Sequence, residues 1–290
     1  MMIQAVLGNP NHPEYGVATI PFPIPHDQYA HCMELLEALE IGDAVKTDCK
    51  VEKIDSFYTV LKRAEMLTVN VEELNYLAKR LDSFDTGEAA QFQAMAHKLE
   101  LFELKDLINL TFCCQQATVI TDFSDLAAVG RDHYMNLHGG SASVDALDGE
   151  ETARRLIESG GGTITPYGVV YDNGMKLEQV YDGRFFPCYY YEPNAITVAV
   201  ISKAEPEDTN HITWLFLPMV QEEIDRALLR GGITDSEDVR LRLEDSQLPN
   251  EVDVLLDMEC ETLSDLNELA AATDGLSKAD MEKLGAVVTL

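Results

Sequence analysis

One helix pattern is written twice in this chain. VEELNYLAKRLDSFD occupies 71–85, and LSDLNELAAATDGLS occupies 263–277. In the first, Leu74, Leu77, Ala78 and Leu81 fall at i, i+3, i+4 and i+7, the single apolar stripe of an amphipathic helix. In the second, Leu266, Leu269, Ala270 and Thr273 keep the same spacing. Asn70 with Glu73, and Thr262 with Asp265, stand where a capping box closes a helix amino end. The repetition extends upstream. MIQAVL (2–7) and GVATIPF (16–22) read as strands, 26–40 as a helix, and AVKTDCKVE (44–52) as a strand of period two. That last segment sets Val45, Thr47, Cys49 and Val51 against Lys46, Asp48 and Lys50. In the last third, AITVAVISK, ITWLFLP, QEEIDRALLR and DVRLRLED repeat strand, strand, helix, strand. FPIPHDQY aligns with LPMVQEEI. Two copies do not make a solenoid, so the pattern predicts two small sheet-plus-helix modules. Each has its own strand pair, stripe and cap, so the second is expected to be removable without unfolding the rest.

Between the copies, 88–138 reads as mostly helical, and DALDGEETARRLIESGG as a further short helix. GTITPYGVVYDNGMKLEQVYDG gives two or three short strands, with Asn173-Gly174 as a hairpin turn. The fold class expected is α+β: an elongated multi-domain chain of small antiparallel-sheet-plus-helix modules around a helical middle domain. The divisions are 1–69 for an N-terminal ββαβ domain, 70–125 for a helical domain, 126–190 for an α+β third domain and 191–290 for the second copy.

Charge narrows the function. Across 290 residues there are 51 Asp and Glu against 21 Lys and Arg, a net of -30. Such a chain repels nucleic acid and anionic lipid and attracts basic surfaces at long range. The last 99 residues hold 22 acids and 7 bases. The densest run is Asp235, Glu237, Asp238, Glu244, Asp245, Glu251, Asp253, Asp257, Glu259, Glu261, Asp265 and Glu268, against Arg240 and Arg242 alone. The matching span of the first copy, 43–76, has seven acids and five bases: Lys46, Lys50, Lys53, Lys62 and Arg63.

No catalytic constellation is legible. The G-x-S-x-G elbow, the P-loop, G-x-G-x-x-G and H-E-x-x-H are absent. Gly160–Gly162 follow a helix rather than opening one, which fits a helix stop better than a phosphate cradle. His133 and His138 lie five apart near Asp132, off the i, i+4 spacing of a helical metal pair. Cys113-Cys114 sits among apolar residues and reads as buried thiols. The six cysteines form no C-x-x-C pair, so neither a zinc site nor a disulfide framework is expected, and reduced thiols point to the cytoplasm. No signal peptide or transmembrane run is visible. With so many carboxylates, no dyad can be singled out as an enzyme's acid and base. The acids themselves are then the candidate functional surface, with Glu72, Glu73 and Asp82 joining the run above. DNA carries one negative charge per about 1.7 Å of axis, and acids three or four apart on a helix lie about 5–6 Å from each other. A solvated helix face accounts for any single acid; the whole run fits phosphate mimicry.

The order of segments resembles the ArdA antirestriction family. TIPFPIPHDQY, VEELNYLAKRL and LKDLINLTFCCQQATVITDFSDLAAVGRDHYM resemble its first two domains, and ETARRLIESGGGTITPYGVVYDNG its third. The match spans about 1–185. ITWLFLPMVQEEI, LEDSQLP and LSDLNELA resemble the first domain again, after the third. The resemblance implies a non-catalytic DNA mimic without cofactor or metal. Such proteins are carried by mobile elements, block type I restriction-modification enzymes and commonly dimerise through the third domain. The extra module departs from the family pattern and is expected to lengthen the charged surface. Alternative readings are mimicry aimed at another DNA-binding defence complex, such as a CRISPR effector, or an acidic metal-dependent enzyme.

Overall fold

The computed structural model describes residues 3–139, 143–144, 147–203, 211–234 and 238–288. The fold is α+β, built from short helices and three small antiparallel sheets.

The first sheet starts with a hairpin of β1 (Ile3–Gly8) and β2 (Val17–Phe22), with Ile3 opposite Phe22 and Gly8 opposite Val17. Alternation sets the faces: Ile3, Ala5 and Leu7 are buried while Gln4 is exposed. After α1 (Tyr29–Glu37), β3 (Cys49–Asp55) pairs with the free side of β1, and the two-residue β4 (Thr68–Val69) closes the order β2-β1-β3-β4. Then α2 (Val71–Asp82) buries Leu74, Leu77, Ala78 and Leu81, and the Asn70 side chain accepts from Glu73 N–H at its amino end. The strand expected over 44–52 is shifted. It begins at Cys49, and Val45 and Thr47 are exposed. Asp43 Oδ1 accepts from the N–H groups of Val45 and Lys46, both at 2.9 Å, and this local turn takes donors that a strand would need.

The middle of the chain holds α3 (Thr86–Lys98), α4 (Leu104–Leu110), β5 (Thr118–Ile120), α5 (Leu126–His138), α6 (Gly149–Glu158), β6 (Thr163–Thr165) and β7 (Gly168–Tyr171). Helices α5 and α6 meet backbone to backbone: a Cβ on Gly130 would lie 1.8 Å from the Gly149 carbonyl oxygen. The hairpin turn is not at Asn173-Gly174. It is the two-residue link between β6 and β7, and β7 finds its second partner in β5, giving the order β5-β7-β6. Asn173 does adopt a positive φ of 54°, but its side chain donates to Gln116 O and Thr118 Oγ1 and fastens the end of β7 to the start of β5.

The last part repeats the first. β8 (Ile196–Ser202) is central, β9 (Thr213–Leu217) pairs on one side, and β10 (Val239–Ser246) on the other after α7 (Gln221–Arg230). The order β10-β8-β9 matches β3-β1-β2, and both third strands carry one bulge. α8 (Asn250–Asp253), α9 (Leu263–Thr273) and α10 (Lys278–Val288) complete the chain. Leu266 and Ala270 of α9 join Val198, Val200, Leu215 and Leu217 in one core. A polar contact is duplicated too. Asn75 Oδ1 accepts from Ile24 N–H at 2.8 Å, and Asn267 Oδ1 accepts from Met219 N–H at 2.9 Å. In each case the donor follows a proline joined by a cis peptide, Phe22–Pro23 or Leu217–Pro218.

Two compact units result. One comprises 1–24, 35–41 and 47–180; the other comprises 25–34, 42–46 and 181–290. The expected divisions near 69 and 125 fall inside the first unit. The second copy is not self-contained. Arg226 Nε donates to Tyr29 Oη and its Nη2 to Gly42 O, while Arg230 donates to Ala44 O, all within the second unit. Buried Arg230 also donates to Arg184 O, Gly183 O and the Tyr181 hydroxyl and lies over the Phe186 ring. Removing 192–290 would strip these partners from Tyr29, Gly42 and Ala44, so the clean excision expected from the repeat is corrected.

Candidate acidic interface

Asp235 and Glu237 lie outside the described residues. The other ten acids of the dense run fall on four pieces of the second unit. Asp238, Glu244 and Asp245 are exposed at the two ends of β10, Glu251 and Asp253 ride on α8, and Asp257, Glu259 and Glu261 fill the link to α9. Asp265 and Glu268 stand three apart on α9 and therefore share one face. Eight of the ten are exposed; Asp253 and Glu261 are half-buried.

Several of these carboxylates hold the fold as well as facing solvent. Asp265 and Thr262 form a reciprocal capping box. Ser246 draws two acids together: its N–H donates to Asp245 Oδ1 at 3.0 Å and its hydroxyl to Asp253 Oδ1 at 2.7 Å. Glu244 Oε2 accepts from Arg242 Nε at 2.9 Å, which neutralises one of the two cations in the run. Asp257 Oδ1 accepts from Glu259 N–H at 3.1 Å and sets the turn that enters α9. The local field is visible in Cys260. A hydrogen bond to Asp257, then the charge of Asp257 and those of Glu259 and Glu261, push its thiol above the ordinary cysteine value.

The acids of the first copy are placed differently. Glu72, Glu73 and Asp82 are half-buried on α2 rather than projecting fully into water. Along its sequence the first copy pairs charges: Lys46 with Asp43 and Lys50 with Glu52, both at 2.8 Å. Burial opposes the charge of Asp43, but hydrogen bonds from the Lys46 ammonium and two backbone N–H groups hold its carboxyl down to about 2.

The remaining chemical candidates are drawn into packing. His133 Nδ1 is 2.9 Å from Thr118 Oγ1, and burial lowers its basicity. His138 stacks on Tyr134. Cys113 and Cys114 are buried, and burial raises both thiols. Gly160 takes a positive φ just beyond the end of α6, and the glycines lead into β6. Among the described residues no group of three His, Cys, Asp or Glu is placed to hold a metal ion, and no helix is long and apolar enough to cross a membrane.

The surface also carries an exposed apolar pair that no sequence pattern announces. Val254 and Leu255 stand between Asp253 and Asp257 and are 74% and 65% exposed. Hydropathy alone assigns such a pair to the core; only the charges on both sides hint otherwise. Comparison of the chain with protein-family models, with curated proteins and with solved structures finds no match.

Proposed function

We propose that this protein is a non-catalytic DNA mimic that occupies the DNA-binding groove of a type I restriction-modification enzyme in the cytoplasm. The observation that carries the reading is the acid run of the second unit. Ten described carboxylates, eight of them exposed, face Arg240 and Arg242 as their only basic companions between 238 and 268. The sequence resemblance to the ArdA family supplies the class of target, and the net charge of -30 supplies the attraction to a groove built for phosphates. The function requires no cofactor.

The test is competition. A purified type I methyltransferase is titrated with the protein in the presence of duplex DNA carrying its recognition site. Protein and DNA are expected to exclude each other, with affinity falling steeply as salt rises. A stable ternary complex with DNA still in the groove overturns the reading. Exclusion from a purified CRISPR effector but not from the methyltransferase would transfer the mimicry to that other target.

A further inference from the structure

The helix caps align the two copies without a gap, Asn70 on Thr262, and the alignment runs back to Thr59 on Glu251. Val60 and Val252 occupy one position and are both buried. Two residues on, the copies part. Lys62 and Arg63 of the first copy are exposed cations, as a surface position demands. Their counterparts are Val254 and Leu255, just as exposed but apolar. Over the same eleven positions the first copy has Lys62, Arg63 and Glu65; the second has five acids and no base.

The rest of the segment accounts for how the pair comes to be displayed. In the first copy Met66 N–H donates to Val51 O, Val51 N–H donates to Leu67 O, and β4 lies along β3 with Val69 buried. In the second copy Leu67 and Val69 become Glu259 and Glu261, whose charges resist burial at such positions. The segment turns instead on Asp257, whose carbonyl accepts from the N–H groups of Cys260 and Glu261. Among the described residues, neither Val254 nor Leu255 belongs to the core cluster of the second unit or to the side chains packed against it.

From this we infer that Val254 and Leu255 are a docking knob for a basic partner protein whose cation-bearing surface also offers an apolar socket. Charge complementarity selects the occupant. Exposed Glu251, Asp257 and Glu259 lie within four residues of the pair along the chain, so a partner surface that covers it meets carboxylates as well as apolar atoms and must bring Lys or Arg together with an apolar centre. A bare phosphate-binding groove would meet the carboxylates alone. A second copy of this chain would set carboxylates against carboxylates, a repulsive approach. The inference goes beyond DNA mimicry, because it assigns a contact that no nucleic acid backbone imitates.

The experiment uses the full chain and two synthetic helical peptides of equal positive charge, one of Lys and Leu with an apolar face, the other of Lys and Ser. The parent is expected to bind the Lys–Leu peptide at least about tenfold more tightly. V254S/L255S should erase that preference while leaving the salt dependence unchanged. E251Q/D257N/E259Q should weaken both peptides and flatten the salt dependence. Circular dichroism and melting temperature check that the variants fold, as expected for substitutions at exposed positions. Equal affinity of the parent for the two peptides overturns the inference. So does a preference that survives V254S/L255S, or a concentration-dependent dimer that V254S/L255S abolishes. These readouts contain no restriction enzyme, so failure of the competition test and failure here are separate results.

Discussion

The two ββαβ copies share a backbone plan and differ in what they show to solvent. Sheet order, the helix stripe, the capped amino end and the asparagine clamp are common to both. The surface is not. Where the first copy interleaves Lys50 with Glu52 and displays Lys62 and Arg63, the second displays Val254 and Leu255 in a stretch, 251–261, with five acids and no base. The shared features are buried and the differing ones exposed, because changes in the interior carry a large free-energy cost and changes on the surface a small one.

If the interiors are equivalent, matched substitutions should have matched effects. The largest is expected from Leu74→Ala and Leu266→Ala, both fully buried on the central helix of their copy. Each should cost about 2–5 kcal/mol in chemical denaturation, with the difference between them reporting how far each site collapses. A cost confined to one copy would break the equivalence. Next come Asn75→Ala and Asn267→Ala. Each strands a backbone N–H, at Ile24 or Met219, at a cost of about 1–3 kcal/mol. Asn267 also donates to Met219 O at 2.9 Å, so its loss should be the larger of the two. The smallest effect belongs to the caps. Asn70→Ala and Thr262→Ala should each cost about 0.5–2 kcal/mol by thermal melting. Asp265→Asn sharpens the comparison, since it removes a charge of the candidate interface while keeping a side-chain oxygen for the capping box.

Periodic features were the legible ones. The alternation of Val239, Leu241 and Leu243 with Arg240 and Arg242 places β10 correctly, and the stripe of α2 is buried as its spacing requires, while in α9 Leu266, Ala270 and Thr273 are buried and Leu269 only half-buried. Residues 44–48 alternate equally well yet form no strand, because the Asp43 carboxylate captures the N–H groups there. Asn173-Gly174 carries the chemistry of a hairpin turn, but β7 pairs with β5, some fifty residues earlier, and local pattern cannot announce such a partner. The make-up of the second unit was hidden for the same reason. Arginine donors reaching carbonyls at Gly42 and Ala44 leave no periodic trace at either end. Of the candidate surface, the identity of the acids was plain, whereas the exposure of Val254 and Leu255 was not, since an apolar pair beside a helix ordinarily reads as core.

The Arg226–Tyr29 bond joins residues 197 positions apart. A ribosome adds about 5–20 residues per second, so Tyr29 emerges some 10–40 seconds before the arginine that will hold it. Through that interval the stretch from Pro25 to Glu34 belongs to a unit that does not yet exist. A message cut short, or a stalled ribosome, would release an amino-terminal fragment in which Tyr29 lacks its Arg226 donor, a substrate for chaperones and proteases. Synthesis through α7 is thus the step that gives the first repeat these partners.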